Sequence, residues 1–192
     1  MHKDRLTALT DGVVAIVITI MVLEMKVPHR TDMAGLAALA PVFLSYVLSF
    51  VYVAIYWNNH HHFFHLVPHV NGPILWANLH LLFWLSLIPF ATAWMGENDL
   101  MPLPTALYGF GLLMCAIAWV VMQAAIIREQ GSTSPLKRAL GRDLKGKLSP
   151  LLYLAGMGLA FVLPLLSVAI YAGVALMWLV PDRRVAAAVT ED

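Results

Sequence analysis

The feature that most constrains this chain is a series of long apolar segments that are almost free of charge. Hydrophobic residues make up 60% of the 192 residues and charged residues 12%, whereas soluble domains contain roughly 25% charged residues. A bilayer core about 30 Å thick requires roughly 20 apolar residues in a helix, because lipid offers no partner for a free backbone amide. The sequence therefore predicts an all-α integral membrane protein with a single domain over residues 1–192.

Six apolar segments are long enough, or nearly long enough, to cross the bilayer. The last two come from one run of about 33 residues, which is too long for a single helix unless that helix is severely tilted. Pro164 predicts a break within this run. The expected spans are 6–27, 36–57, 74–95, 103–127, 148–163 and 165–180.

The positions of lysine and arginine predict the orientation of the chain in the membrane. The segment between the fourth and fifth spans is basic, with Arg128, Lys137, Arg138, Arg142, Lys145 and Lys147. The positive-inside rule makes this segment cytoplasmic, and six crossings then place both termini on the same side, with Lys26 and Arg30 as exceptions outside. We expect a multi-pass protein of the cell membrane. A net charge of +1 gives no reason to expect a nucleic-acid partner.

The first span contains the most unusual pattern. Ile16, Thr19, Ile20 and Leu23 share one helix face, which is apolar except for the Thr19 hydroxyl. The spacing alone favours packing of this face against another helix, with Thr19 bonding to its own backbone. Asp11 is costly inside a span unless it is paired, hydrated or protonated. Spacing alone supports two interpretations of Asp11 equally: a charge at a helix end that reaches interfacial water, or a member of a functional cluster.

A second unusual segment is rich in histidine. His61, His65 and His69 are four residues apart, a spacing typical of metal ligands on one helix face, although Pro68 disturbs a helix near His69. Membrane di-iron oxygenases use several separated histidine boxes, whereas the histidines outside this cluster are His2, His29 and His80. The sequence also has no phosphate-binding glycine loop or nucleophile elbow. We therefore predict no enzyme, catalytic site, metal site or cofactor, and the sequence leaves open whether the cluster binds a metal or senses pH.

The segment from Arg5 to Gly12 resembles the Arg-x-x-x-Phe-Ser-Asp signature of the prokaryotic transmembrane protein 175 family of potassium channels. Leu9 and Thr10 stand in place of its Phe and Ser, and Asp11 is retained. The similarity continues through the first three spans, at Ala15, Ile16, Thr19, Leu23, Glu24, Trp57, His60, His61, Phe64, Asn78, Leu79, Pro89, Phe90 and Thr92.

The resemblance implies a homotetramer of six-helix subunits, in which the first helices line a central pore without a carbonyl selectivity filter. Carried over by position, Ile16 forms the narrowest ring, with Thr19, Ile20 and Leu23 toward the outside. A hydrophobic constriction of this kind can gate by dewetting. The implied function is a weakly selective potassium leak channel, whose partners are potassium ions, the lipid bilayer and further copies of the chain.

The resemblance also implies a polar network that holds the pore helix at its cytoplasmic end. Its members in this sequence are Arg5, Thr10, Asp11, Trp57, His60, His61 and Asn78. A paired carboxylate in such a network accounts for the presence of Asp11 in a membrane span. The alternative function is a histidine-rich membrane scaffold or metal-binding protein that is not a channel and whose first helix only packs.

Overall fold

The computed structural model describes residues 3–131, 134–141 and 143–179. All regular secondary structure in these ranges is helical, which confirms the predicted all-α fold. The helices described are α1 (Lys3–Leu23), α2 (Met33–Ala37), α3 (Ala40–His65), α4 (Gly72–Ser86), α5 (Ile88–Glu97), α6 (Pro102–Gln130), α7 (Pro135–Leu140), α8 (Leu144–Leu159) and α9 (Pro164–Leu179). Arg142 of the basic segment, the end of the last predicted span and the carboxyl terminus lie outside the described residues.

Four stretches are long and apolar enough to cross a membrane. These are α1 with 21 residues, α3 with 26, α4 and α5 together with 26, and α6 with 29. At a rise of 1.5 Å per residue, even the shortest reaches about 30 Å, the thickness of the hydrocarbon core. Helix α9 is apolar but has only 16 residues. The chain is therefore a multi-pass membrane protein.

Contacts between helix ends show that successive spans run in opposite directions. Just after α1, Lys26 Nζ lies 2.8 Å from Glu97 Oε1 at the end of α5. At the opposite end of the bundle, Gln130 Nε2 donates to the carbonyl of Leu66 at 2.6 Å, which joins the end of α6 to the end of α3. The chain thus crosses back and forth, as short connections between long helices require.

The two basic residues that depart from the expected charge distribution are both paired with carboxylates. Lys26 is bonded to Glu97, and this hydrogen bond raises the pKa of the lysine ammonium group. Arg30 Nη2 lies 2.6 Å from Asp32 Oδ2, and the guanidinium lowers the pKa of that carboxyl. Both pairs are solvent-exposed, so each contributes little to stability.

The second span begins later than the predicted segment 36–57, because a separate short helix precedes it. Asp32 caps α2 by accepting a hydrogen bond from the Gly35 N–H at 2.9 Å. Helix α3 then begins at Ala40, with Pro41 in its first turn. Proline is favoured there because the N–H that it lacks would have no partner within the helix.

The same span also ends later than predicted, so the histidine-rich sequence is helical. Helix α3 continues to His65, and Pro68 prevents its continuation because the residue before a proline is disfavoured in the α conformation. His61 and His65 therefore lie one turn apart on the helix. His69 lies beyond its end, so the predicted face of three histidines contains only two.

The third span, predicted over 74–95, is broken at Leu87 between α4 and α5. Pro89 has no N–H to donate to the carbonyl of Leu85, and its ring crowds that turn of the helix. The Leu87 N–H bonds instead to Trp84 O at 3.2 Å, a tighter turn than in an α-helix. The crossing therefore consists of two helical segments with a proline-induced break.

The apolar run from 148 to 180 forms two helices, α8 and α9, which separate just before Pro164. Tyr171 of α9 is fully buried, and its hydroxyl donates to Thr105 O of α6 at 3.4 Å. A side chain added at Gly109 of α6 or Gly156 of α8 would overlap the Tyr171 ring. These glycines let three helices approach one another closely, as small residues commonly do in membranes.

Gly156→Val is expected to destabilise the protein by about 1–3 kcal/mol, the usual cost of overpacking a filled interior. The control is Gly158→Val on the same helix, where an added Cβ has no neighbour within 4 Å. The measurement is the melting temperature of the purified protein in detergent. Equal melting temperatures for the two variants would show that the contact between α8 and α9 is not tight.

Candidate functional site

Helix α1 packs against α3, α4 and α5 and uses one face to do so. The buried positions follow one another at intervals of three or four residues, which is the spacing of a single helix face. They are Leu6, Thr10, Val14, Val17 and Met21. This packed face fixes α1 within the subunit.

The opposite face of α1 carries the stripe singled out in the sequence. Ile16 is 58% exposed, Ile20 41% and Leu23 79%, and Thr19 is also exposed. The stripe is therefore not buried within this chain, so the packing against another helix that spacing alone favours would need a helix of a second molecule. In a membrane, an exposed apolar face of this kind contacts lipid or a second protein molecule.

The Thr19 hydroxyl bonds to the backbone of its own helix. Its Oγ1 lies 3.0 Å from the carbonyl oxygen of Ala15 and 2.9 Å from that of Ile16. The hydroxyl proton is directed to these carbonyls, as is common for threonine in membrane helices. The oxygen lone pairs are left available on the exposed face, where they can accept a hydrogen bond or contact a cation.

A buried cluster of three polar side chains joins the packed face of α1 to α3 and α4. Asn78 Nδ2 donates to Thr10 Oγ1 at 3.1 Å, and Asn78 Oδ1 lies 2.8 Å from His60 Nε2. Since the amide oxygen only accepts, the proton of the His60 ring is on Nε2. Thr10 in turn donates to Leu6 O at 3.1 Å. All three side chains are at most 2% exposed, so each is satisfied from within the protein.

Asp11, the next residue of α1, is held by a contact from α3. The indole Nε1 of Trp57 donates to Asp11 Oδ1 at 2.8 Å, and both residues are exposed on the subunit surface. The adjacent residues Thr10 and Asp11 of α1 are therefore bonded to two different helices, Thr10 to Asn78 of α4 and Asp11 to Trp57 of α3. Because these contacts lie on two sides of α1, they oppose its rotation as well as its displacement.

The two other residues of the predicted network are placed differently. His61 stacks on Trp57, with ring centroids 6.2 Å apart, and its Nε2 lies 3.1 Å from His65 Nε2. It adjoins the Trp57–Asp11 contact without a hydrogen bond to either residue. Arg5 is exposed, and within the described part of the chain its side chain has no hydrogen-bond or ion-pair partner. Its assignment to the network stays a prediction.

A further polar contact joins three spans, and the sequence did not identify two of its members, Ser49 and Tyr108. Ser49 Oγ of α3 lies 2.6 Å from Thr92 Oγ1 of α5 and 3.0 Å from Tyr108 Oη of α6. Thr92 was a matching position in the family resemblance, but a lone serine or tyrosine in an apolar span gives no signal of its own. Leu9, which is 44% exposed, lies seven residues before Ile16 and extends the exposed stripe toward the amino terminus.

The residues that the structure describes contain no group of three or more His, Cys, Asp or Glu side chains arranged to hold a metal ion. The polar side chains of the site instead bond to one another and to the backbone. Their arrangement holds α1 against α3 and α4.

The fold and this site define a class of protein: a multi-pass helical membrane protein whose first helix is fixed on one face and open on the other. A family model described as the endosomal/lysosomal potassium channel TMEM175 matches residues 5–89. A potassium channel of Chryseobacterium sp. (strain P1-3) is 50% identical over the full length of both chains. The chain therefore belongs to the prokaryotic TMEM175 family of potassium channels, which confirms the resemblance seen in the sequence.

Two further comparisons extend the similarity to the later helices. A potassium channel of Streptomyces collinus is 30% identical over 97% of this chain and 98% of its own. The crystal structure of a lysosomal potassium-selective channel TMEM175 homolog from Chamaesiphon minutus matches with a TM-score of 0.82 and 27% identity, covering 93% of this chain and 97% of that one. Membership of a channel family confirms that the chain is not an enzyme and does not favour the scaffold alternative.

Proposed function

We propose that four copies of this chain assemble around a central pore lined by α1 and conduct potassium ions with weak selectivity over sodium. The observation that carries this proposal is the asymmetry of α1. Buried hydrogen bonds hold its packed face, while the opposite face exposes Ile16, Thr19, Ile20 and Leu23. A helix that is fixed on one face and exposed on the other can line a pore between several copies of the chain.

The chemistry of the exposed face suits a hydrophobic constriction. Four Ile16 side chains form its narrowest ring, and a ring of this kind controls ion passage by its wetting. Thr19 lies one turn further along and offers the hydroxyl oxygens of the stripe to a partly dehydrated cation. Ile20 and Leu23 continue the lining toward the outside. The channel requires no bound cofactor, and potassium is its permeant ion.

Apolar exposure next to the stripe supports assembly of several copies. A surface groove between α1 and α5 is lined by Ile16 and Ile20 on one side and by Pro89 and Phe90 on the other. Phe90 is 62% exposed. An adjacent subunit that contributes its own α1 to a central pore can cover this groove.

Each subunit in this proposal crosses the membrane six times, with α8 and α9 as the last two spans. Each of these helices has 16 residues, which at 1.5 Å per residue reach about 24 Å. A bilayer accommodates such short spans by local thinning, at a modest cost per ångström. Their close packing around Tyr171 keeps them together.

We place the protein in the cell membrane with both termini in the cytoplasm. The connection between α6 and α8 is basic, including Arg128, Lys137, Arg138, Lys145 and Lys147, and the positive-inside rule makes it cytoplasmic. The amino terminus of α1 lies at the same end of the bundle, since Thr10 and Asp11 contact the last part of α3. The network around Asn78 is then at the cytoplasmic end of the pore.

The decisive experiment is potassium flux into liposomes that contain the purified protein, with wild type compared with Ile16→Asn. A polar ring hydrates the constriction, and each 1.36 kcal/mol removed from the barrier raises the rate about tenfold, so we expect flux to rise by about that factor or more. Leu176→Asn is the control, because Leu176 is exposed to a similar extent but lies on α9.

Two results would contradict the proposal. Potassium flux that is the same in wild type and Ile16→Asn would show that Ile16 does not form the constriction. Absence of flux from correctly assembled tetramers of both proteins would show that α1 does not line a conducting pore.

A further inference from the structure

The end of α3 carries a pair of histidines, His61 and His65, that make no hydrogen bond to the buried cluster or to Asp11 within the described residues. His61 and His65 lie one turn apart on the exposed side of the helix. Their Nε2 atoms are 3.1 Å apart, and their ring planes meet at 78°. Two neutral imidazoles at this distance share one proton, which is on one Nε2 and directed at the lone pair of the other.

The same geometry suits a metal ion in place of the shared proton. Zinc binds imidazole nitrogen at about 2.0–2.1 Å. Two nitrogens 3.1 Å apart at that distance from one ion subtend an angle of roughly 95–100°, which lies between the octahedral and tetrahedral values. We propose that His61 and His65 form a two-histidine site for a divalent first-row transition metal, for which imidazole is a preferred ligand.

The surroundings of the pair favour a cation and leave room for water. The two histidines line a groove together with Asp4 and Asp11 of α1. Lys3 lines the same groove, so one ammonium group faces two carboxylates there. Because no third ligand-type side chain of the described residues is in coordinating position, water completes the coordination. The site is therefore open and binds more weakly than a four-ligand structural zinc site.

A metal at this site connects to the base of α1 through one side chain. His61 stacks on Trp57, and the Trp57 indole donates to Asp11. Fixing the His61 ring by coordination restricts the ring of Trp57 and thereby the hydrogen bond that holds α1. This effect on conduction rests on the proposed pore function, whereas binding of the metal does not.

The test is zinc binding by purified protein without a histidine tag, measured by competition with a chromophoric zinc indicator. We expect His61→Gln and His65→Gln each to weaken binding by more than about tenfold, since losing even a second-shell partner costs 10–100-fold. His69→Gln is the control, because His69 is exposed beyond the end of α3. Unchanged melting temperatures show that all variants are folded.

The outcomes separate the metal site from the channel. Zinc affinity that is unchanged in His61→Gln and His65→Gln, or reduced equally in His69→Gln, overturns the site. Zinc that alters potassium flux in wild type but not in His65→Gln supports its connection to α1. Zinc binding that depends on both histidines in a protein without potassium flux supports the site and contradicts the pore.

Discussion

Asn78→Leu is expected to lower the free energy of unfolding by about 2–4 kcal/mol, because it removes the centre of the buried polar cluster. Leucine has the same heavy-atom branching as asparagine but no hydrogen-bonding atoms, so the variant removes every polar contact of this side chain. The His60 Nε2–H is left without its 2.8 Å acceptor and Thr10 without its donor from α4. An orphaned buried donor costs about 1–3 kcal/mol, and an interhelical hydrogen bond in a membrane contributes roughly 0.6.

Denaturation of the purified protein in detergent measures this effect, with Asn98→Leu as control. Asn98 is exposed just after α5, and among the described residues its side chain bonds only to Trp94 O of that helix, so its replacement removes no contact between spans. The double variant His60→Phe/Asn78→Leu should recover part of the loss, since replacing both partners by apolar groups leaves no orphaned donor. A single Asn78 variant as stable as wild type would show that the cluster does not hold α1.

Two members of the network could be recognised in the sequence because polar groups are costly in lipid. Asp11 and Asn78 each interrupt a predicted span, and a polar residue at such a cost needs a partner within the protein. Spacing could not identify the partners, which lie 18 to 68 positions apart along the chain. The family resemblance placed them in one network, and the structure brings five of its seven predicted members into hydrogen-bonding contact.

The orientation of α1 could not be predicted from its composition. Both faces are apolar: Val14 and Val17 are buried, whereas Ile16 and Ile20 are exposed. A helix that is hydrophobic all round gives no amphipathic signal, so periodicity does not reveal which face packs within the subunit. Only the tertiary contacts with α3, α4 and α5 distinguish them. For the same reason, spacing alone did not predict that the stripe containing Ile16 and Ile20 is exposed within the chain.

Helix boundaries were predictable where proline or charge marks them. Pro164 is the first residue of α9, and Pro68 follows the end of α3. The end of α3 itself was placed too early, at Trp57, because the polar residues after it were interpreted as leaving the membrane. Asn59 bonds to Ile55 O of the same helix at 2.8 Å, and His60 finds its partner on α4. Because their hydrogen bonds are satisfied within the protein, these polar residues extend the helix beyond the end that hydropathy alone predicts.

The polar contacts from α1 to other helices lie in the first half of the helix. In the described chain, the hydrogen bonds from α1 to other helices involve Thr10 and Asp11 only. Beyond them, Val14, Val17 and Met21 provide apolar contacts that are not directional. The part of α1 that carries Ile16 can therefore shift or rotate without breaking a hydrogen bond, whereas the start of the helix cannot.

Thr19→Val is expected to reduce the preference for potassium over sodium until the permeability ratio is close to one. Valine has nearly the shape of threonine but lacks the hydroxyl, so the width of the pore is kept while a ring of oxygens is lost. Those oxygens compensate a passing ion for part of its hydration shell, and the smaller, more strongly hydrated sodium ion is compensated less well. The measurement is the reversal potential in mixed potassium and sodium solutions.

Thr19→Ser is the matched control, because serine keeps the hydroxyl and can make the same bonds to Ala15 O and Ile16 O. Its permeability ratio should stay near that of wild type. A ratio that falls equally in both variants would mean that the Thr19 methyl group, through packing, sets the preference. A ratio that changes in neither would remove Thr19 from ion selection and leave the Ile16 constriction to provide it. The pair of variants thus separates coordination by oxygen from the dimensions of the pore, which the wild-type measurement alone cannot do.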